Sequence, residues 1–306
     1  MSPFALLFPG QGLQYVGMGQ SLALQFPVAK EVFAQTDDAL GFALSKLAWE
    51  GPETELTRTE HAQPAILAHS IAALRVLQTQ MDLQPTVAIG HSLGEWTALV
   101  AAGVLDLQVA VQLVHVRGQF MQNAVPPGTG AMAAVLGLDR AKVQELCDSV
   151  TLAHDLVVVA AHNDPLHTVI SGHAPAVQRA SEACMQAGAL KVLPLPVSAP
   201  FHSPLMQAAA ERLAAALEKL VCHPPQVPIL STVHGELVRD PTQFQPLLVQ
   251  QMTLPVLWSE AIAQLSSLEI AQAYALGPAQ ALPGMVKRNA RGVKVTVLAE
   301  AGDFGP

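Results

Sequence analysis

A chain of 306 residues has room for one to two domains at roughly 150 residues each. Apolar residues make up 51% of it, enough for a sizeable core, which excludes intrinsic disorder over the bulk of the chain. Lys and Arg number 16 against 24 Asp and Glu, a formal net charge of −8 and the wrong sign for a general binder of phosphate backbones, so nucleic acid is excluded as a partner. No apolar run approaches the roughly 18 residues of a membrane span, and the opening MSPFALLFPG lacks a basic leader and a small-residue cleavage pattern. A soluble, cytoplasmic protein is expected, monomeric by default, with Cys147, Cys184 and Cys222 as reduced thiols.

Taken in chain order, the apolar run 4–8 ends at Pro9-Gly10 and predicts a buried strand emptying into a glycine-rich loop. A helical pattern covers Ala65 to Leu77, and Val87-Ala88-Ile89 predicts a second buried strand before Gly90. Helices follow at about 93–102 and 106–123, separated by Gly103. Short apolar strands alternating with longer helices predict a parallel sheet covered on both faces. The texture changes at Pro126-Pro127-Gly128. From 130 to 197 the order reads strand, helix, strand, strand, helix, strand, the ferredoxin-like arrangement. The α/β pattern then resumes, with a helix at about 204–220, a strand over 227–233, helices near 243–252 and 258–266, a strand over 271–276, a short helix and a final strand over 293–298. The fold class expected is α/β: a large α/β-hydrolase-like domain with a parallel sheet, residues 1–127 and 198–306, into which a ferredoxin-like subdomain, 128–197, is inserted. A cleft between two such units is a favoured place for a ligand. The tail AEAGDFGP reads as loosely held.

The strongest chemical signal is Gly90-His91-Ser92-Leu93-Gly94, a G-x-S-x-G directly after a buried strand and directly before a helix, which is the context of a nucleophile elbow. Backbone N–H groups at the start of that helix would stabilise an oxyanion. The competing reading is a capping box made by Ser92 and Glu95. His91, adjacent to the serine, leaves the turn in another direction and is a poor base. His202 is a better candidate: Ser203-Pro204 looks like the N-cap and first position of the next helix, which fixes His202 where the inserted subdomain ends. No Asp or Glu lies between Lys191 and Ala210, so any acceptor that orients the imidazole must come from elsewhere. Arg117 shares a helical stripe with Ala110, Val114 and Met121 and points inward; it is either a structural ion-pair partner or a clamp on a substrate carboxylate. Gly10-Gln11-Gly12 fails the dinucleotide fingerprint because residue 15 is tyrosine, whereas the Gln11 N–H is a candidate second oxyanion donor. The remaining histidines form no metal-binding pattern, and no metal is expected.

Phe8-Pro9-Gly10-Gln11-Gly12, Gly90 to Glu95, Val116-Arg117-Gly118, Gly130-Ala131-Met132, Asn163, Phe201 to Met206 and Gln251 to Trp258, in that order, resemble the malonyl-CoA:acyl-carrier-protein transacylases over nearly the whole chain. The resemblance implies ping-pong acyl transfer in which Ser92, with His202 as base, takes malonyl from coenzyme A and yields it to the phosphopantetheine thiol of an acyl carrier protein. It implies no resident cofactor, malonyl-CoA being a substrate. Backbone amides of Gln11 and Leu93 would form the oxyanion hole, Arg117 would hold the malonyl carboxylate, and the Gln251 carbonyl would orient His202. His91, Asn163, Phe201 and Gln251 would line the site. Leu93 and Phe201 look like the malonyl-selective pattern, which leaves little room for a 2-methyl branch. Gly277-Pro278-Ala279-Gln280 departs from the family, which usually has a second glycine and then a basic residue.

Carrier proteins are acidic, so docking needs a locally basic surface; Lys287, Arg288, Arg291 and Lys294 supply one, against the alternative of a solvated helix end. The length is that of a discrete enzyme acting in trans in fatty-acid or polyketide synthesis. Two rivals remain at this level. An acyl hydrolase on the same fold would have no use for a buried cation, and a non-catalytic scaffold would have no use for the set Ser92, His202, Arg117 and Gln11.

Overall fold

The apolar run Phe4–Phe8 is buried along its length and forms β1, one of the two central strands of a six-stranded sheet. The computed structural model describes residues 3–197 and 199–305. The two termini lie outside the described residues, as does residue 198, the expected point of return from the inserted subdomain. After β1 come α1 (Gln20–Gln25), α2 (Pro27–Leu40), α3 (Leu44–Glu50), α4 (Glu53–Leu56), α5 (Thr59–Gln80), β2 (Val87–Gly90), α6 (Leu93–Ala101) and α7 (Leu107–Gln122). The middle of the chain holds β3 (Gly130–Leu136), α8 (Arg140–Val150), β4 (Val157–Asp164), β5 (His167–His173), α9 (Ala174–Gln186) and β6 (Lys191–Pro194). It ends with α10 (Gln207–Leu217), β7 (Ile229–Ser231), β8 (Glu236–Val238), α11 (Phe244–Gln250), α12 (Trp258–Ala263), β9 (Gln272–Leu276), α13 (Leu282–Asn289) and β10 (Lys294–Leu298).

The large sheet has the order β10-β9-β1-β2-β7-β8, parallel except for β8, which returns antiparallel on β7. That hairpin is absent from the sequence reading because two of the three residues of β8 are exposed and leave no apolar run. All four strands of the second sheet fall between Gly130 and Pro194, in the antiparallel order β4-β5-β3-β6, which is ferredoxin-like. A core of its own, around Val135, Val143, Ile170 and Cys184, separates this sheet from α8 and α9.

The second sheet joins the rest of the molecule through apolar packing, with Met132, Ala134, Ala160, Ala161 and Val169 in the main core, and through polar bonds. Val256 pairs with β4, its N–H donating to the Ala160 carbonyl and its carbonyl accepting from the His162 N–H, both at 2.9 Å. Glu260 on α12 bonds Arg140 and accepts from His162 Nδ1 at 3.0 Å.

Helix α5 starts at Thr59, earlier than the pattern predicts, and carries Pro64 inside it. The proline has no N–H to give the Glu60 carbonyl, and His115 Nδ1 from α7 takes that carbonyl at 2.8 Å. The same helices touch at Gly118: a Cβ there would stand 2.6 Å from the Glu60 Cα, so only glycine permits this approach. The close crossing sets Gln63 of α5 beside Arg117 of α7.

The tail corrects the expectation of a loose terminus. Glu300 accepts from the Tyr15 hydroxyl at 2.5 Å, the Gly19 N–H at 3.2 Å and the Ser21 hydroxyl; with Asp303 it forms a capping box, and Phe304 is buried. Polar and glycine-rich composition concealed a carboxylate with three donors.

Candidate active site

Ser92 lies at the carboxyl end of β2, beside the loop that leaves β1, where open parallel sheets present their ligand crevices. Its backbone is left-handed, with φ of 50°. Two close approaches make the bend: a Cβ on Gly90 would meet the Gly94 carbonyl carbon at 1.9 Å, and one on Gly94 would meet the Phe8 carbonyl oxygen at 2.2 Å. The Ser92 side chain makes no cap hydrogen bond to α6, so the capping-box reading fails. Its hydroxyl instead lies 2.7 Å from His202 Nε2.

His202 is buried and left-handed, with φ of 56°. Ser203 precedes a short 3₁₀ turn, as the N-cap reading expects, but its hydroxyl donates back to the Pro200 carbonyl at 2.6 Å and does not cap the turn. The imidazole Nδ1 faces the carbonyls of Gln251 at 2.8 Å and Leu254 at 3.2 Å. Two acceptors at Nδ1 place the proton there, which leaves the Nε2 lone pair for the Ser92 hydroxyl. Burial, reinforced by the Arg117 charge, pushes the His202 pKa down to about 3, so the ring is neutral across the physiological range and its Nε2 lone pair is free to accept a proton.

Arg117 is 1% exposed and has no carboxylate in direct contact among the described residues. Nη1 donates to Gln63 Oε1 at 2.7 Å and Nη2 to Gln251 Oε1 at 2.9 Å, while Nη2 also lies 3.4 Å from Ser92 Oγ; Nε is buried with no partner among the described residues. Burial lowers its pKa to about 10, with Glu95 acting the other way, and the guanidinium keeps its charge. An incompletely satisfied buried cation beside a nucleophile can receive an anion. The Gln251 Nε2 group donates in turn to Glu95 Oε2 at 2.9 Å and to the Ser92 carbonyl at 3.1 Å.

A cavity of about 130 Å³ opens over Ser92, lined by Gln11, Gln63, His91, Leu93, Arg117 and His202, with Met121, Met132, Ala161, Val169, Leu195, Val197 and Phe201 as its apolar wall. The N–H groups of Gln11 and Leu93 donate to no protein acceptor among the described residues, as oxyanion donors must. Asn163 and Gln251 stand directly behind the residues that line the cavity, bonded to His91 and Arg117. Asn163 Oδ1 is taken up by His91 Nε2 at 2.8 Å, and its carbonyl by Asn289 Nδ2 at 2.7 Å. Gln251 is spent on its bonds to Arg117, Glu95 and the Ser92 carbonyl. His91 faces Asn163 and is no base for Ser92. No group of three or more metal-binding side chains occurs among the described residues.

The model of the acyl transferase domain matches residues 5–277. The malonyl CoA-acyl carrier protein transacylase of Escherichia coli K12 is 43% identical over 288 residues, which cover 94% of this chain and 93% of that protein. The chain belongs to the malonyl CoA-acyl carrier protein transacylase family. Among solved structures, the transacylase of Coxiella burnetii superposes with a TM-score of 0.96 at 39% identity, covering 99% of this chain and 96% of that one. A malonyl-transacylase in complex with its type II polyketide synthase acyl-carrier protein superposes equally well, at 40% identity over 99% and 98% of the two chains.

Four polar partners of the site carry no role in the sequence reading: Gln63 and Thr232, which lie outside the transacylase motifs, and Glu95 and the Leu254 carbonyl, which lie inside them. Gln63 is the single amide among the buried residues of α5, which also include Thr59, Glu60, His69 and Ser70, and that is the one signal that could draw attention to it. Glu95 was masked by its place in the elbow motif, where it reads as a helix cap.

Proposed function

We propose that this chain transfers a malonyl group from malonyl-CoA to the phosphopantetheine thiol of an acyl carrier protein through a malonyl ester of Ser92. The supporting observation is the Ser92–His202 pair at 2.7 Å facing the same cavity as a buried Arg117 whose Nε is unpartnered. Ser92 Oγ attacks the thioester carbonyl carbon while His202 Nε2 takes its proton. The tetrahedral oxyanion rests between the Gln11 and Leu93 N–H groups, each such donor contributing about 3 to 4 kcal/mol in the transition state. As the C–S bond breaks, His202 returns the proton to the coenzyme A sulfur. The second half mirrors the first: His202 takes the carrier thiol proton, the thiolate attacks the ester, and Ser92 leaves with that proton. The carbonyls on Nδ1 do the orienting work that a carboxylate does in other triads.

Arg117 receives the malonyl carboxylate on its Nε and Nη2 edge, which separates this reading from hydrolysis of uncharged acyl chains. Phe201 and Leu93 narrow the cavity and select malonyl over methylmalonyl. Residues 1–127 with 198–306 act as the catalytic domain and 128–197 as a subdomain that closes the cleft; no helix among the described residues is long and apolar enough to cross a membrane, and the work is assigned to the cytoplasm. The exposed Lys287, Arg288, Arg291 and Lys294 offer the acidic carrier a docking surface beside the cleft, where Arg288 already bonds Asp164 Oδ2 at 2.5 Å. The test is intact-mass analysis after mixing with malonyl-CoA and then with carrier protein. A malonyl adduct on Ser92, absent from Ser92→Ala, must decay quickly with carrier thiol and slowly with water; rapid loss to water alone would make the chain a hydrolase.

A further inference from the structure

Glu95 sits one turn beyond the nucleophile, 2% exposed, and touches neither His202 nor a cation. Its Oε2 accepts from Gln251 Nε2 at 2.9 Å and from the Thr232 hydroxyl at 3.2 Å. Burial pushes the pKa of this carboxyl up, and hydrogen bonds from Ser231, Gln251 and Thr232 oppose the push. The acyl-transfer chemistry described above makes no use of it.

Its importance follows from Gln251. A primary amide can turn end for end with little change of shape, yet here its two ends face opposite demands. Oε1 must face Arg117 Nη2, at 2.9 Å, and Nε2 must face acceptors. Turned over, the amide would set N–H₂ against the guanidinium, donor against donor, and Arg117 would lose one of the two amides that hold it. The acceptors at the Nε2 end forbid this: the Ser92 carbonyl at 3.1 Å, and Glu95 at the shorter distance.

We propose that Glu95 is a positioning residue that fixes the orientation of the Gln251 amide and thereby aims the Arg117 guanidinium at the carboxylate of the incoming acyl group. It reaches no reacting atom; it acts through Gln251 and Arg117, and its effect is on acyl selectivity. The inference rests on the reading of Arg117 as the ligand of that carboxylate.

The experiment compares kcat/KM for malonyl-CoA and acetyl-CoA in the full chain. Glu95→Met, which keeps the volume and removes the acceptor, lowers the malonyl-to-acetyl ratio by at least roughly ten-fold, the scale of one charged hydrogen bond. Glu95→Gln, whose own carbonyl can still accept from Gln251, keeps the ratio within about three-fold of the parent, a change too small for a lost bond of that kind. Gln251→Met removes the same amide while leaving its main-chain carbonyl on His202, and its ratio falls as well. In an Arg117→Met background Glu95→Met has no further effect on the ratio, because the group it aims is gone. An unchanged ratio in Glu95→Met overturns the proposal, as does a Glu95→Gln ratio as low as that of Glu95→Met. If Glu95→Met fails to fold, an unchanged ratio in Gln251→Met overturns it alone. Arg117→Met by itself separates the two levels: a ratio it leaves intact refutes the reading of Arg117, whereas a ratio it collapses while Glu95→Met does not refutes only the role of Glu95.

Discussion

Replacing Arg117 with methionine changes two things at once, and the geometry gives the size of each. Ser92 Oγ lies 2.7 Å from His202 Nε2 and 3.4 Å from Arg117 Nη2, so the cation stands within about 6 Å of the base. At an effective dielectric constant of about 20, a unit charge at that distance is worth about 3 kcal/mol, or about two pH units of basicity. Burial and Arg117 together hold His202 down to about 3. Without the cation its pKa rises, burial keeping it below the ordinary histidine value. The base works in its neutral form, so activity is present above this pKa and is lost as pH falls through it. Acetylation of Ser92 by acetyl-CoA, followed by intact mass as pH is lowered, therefore shows its acid limb at higher pH in Arg117→Met than in the parent. Malonyl transfer loses an ion pair in a buried site, about 2 to 5 kcal/mol, or roughly 30- to 5,000-fold in kcat/KM. Acetyl transfer, which never used the cation, falls far less. An acid limb that does not move, or equal losses for both acyl groups, would refute the reasoning.

Gly118→Ala forces a Cβ to within 2.6 Å of the Glu60 backbone, so α5 and α7 must part; the expected cost is about 1 to 3 kcal/mol in thermal unfolding, with a raised KM for malonyl-CoA as Gln63 and Arg117 separate. An unchanged unfolding midpoint would show that the helices do not touch there. Glu300→Gln weakens the cluster of Tyr15, Gly19 and Ser21, costing about 1 to 3 kcal/mol in a urea titration. Burial and Glu300 together hold the Tyr15 phenol above the usual range, so ultraviolet titration of the variant finds it ionising at lower pH; an unmoved Tyr15 would place the tail elsewhere.

The sequence carried the elements whose burial is local. Phe4–Phe8 and Val87–Gly90 are continuous apolar runs, and the glycines around Ser92 announce a bend that only they can make. The strand and helix order between 130 and 194 pointed to the second sheet because each element carries its own local pattern and β4 and β5 form a tight hairpin, although β3 pairs with β5 across α8 and β4. What stayed hidden depends on residues far apart in the chain. Gln63 and Gln251, 188 positions apart, become partners only because both reach Arg117. Glu95 and Thr232 meet 137 positions apart, and neither neighbourhood marks the other. The tail was misread for the same reason: the donors that hold Glu300 come from residues 15 to 21.

The pairing of Val256 with β4 ties the base to the smaller sheet. The two carbonyls that hold the His202 ring belong to Gln251 and Leu254, within five residues of that backbone contact. A shift of the smaller sheet is therefore transmitted along five residues of backbone to the carbonyls that orient the general base.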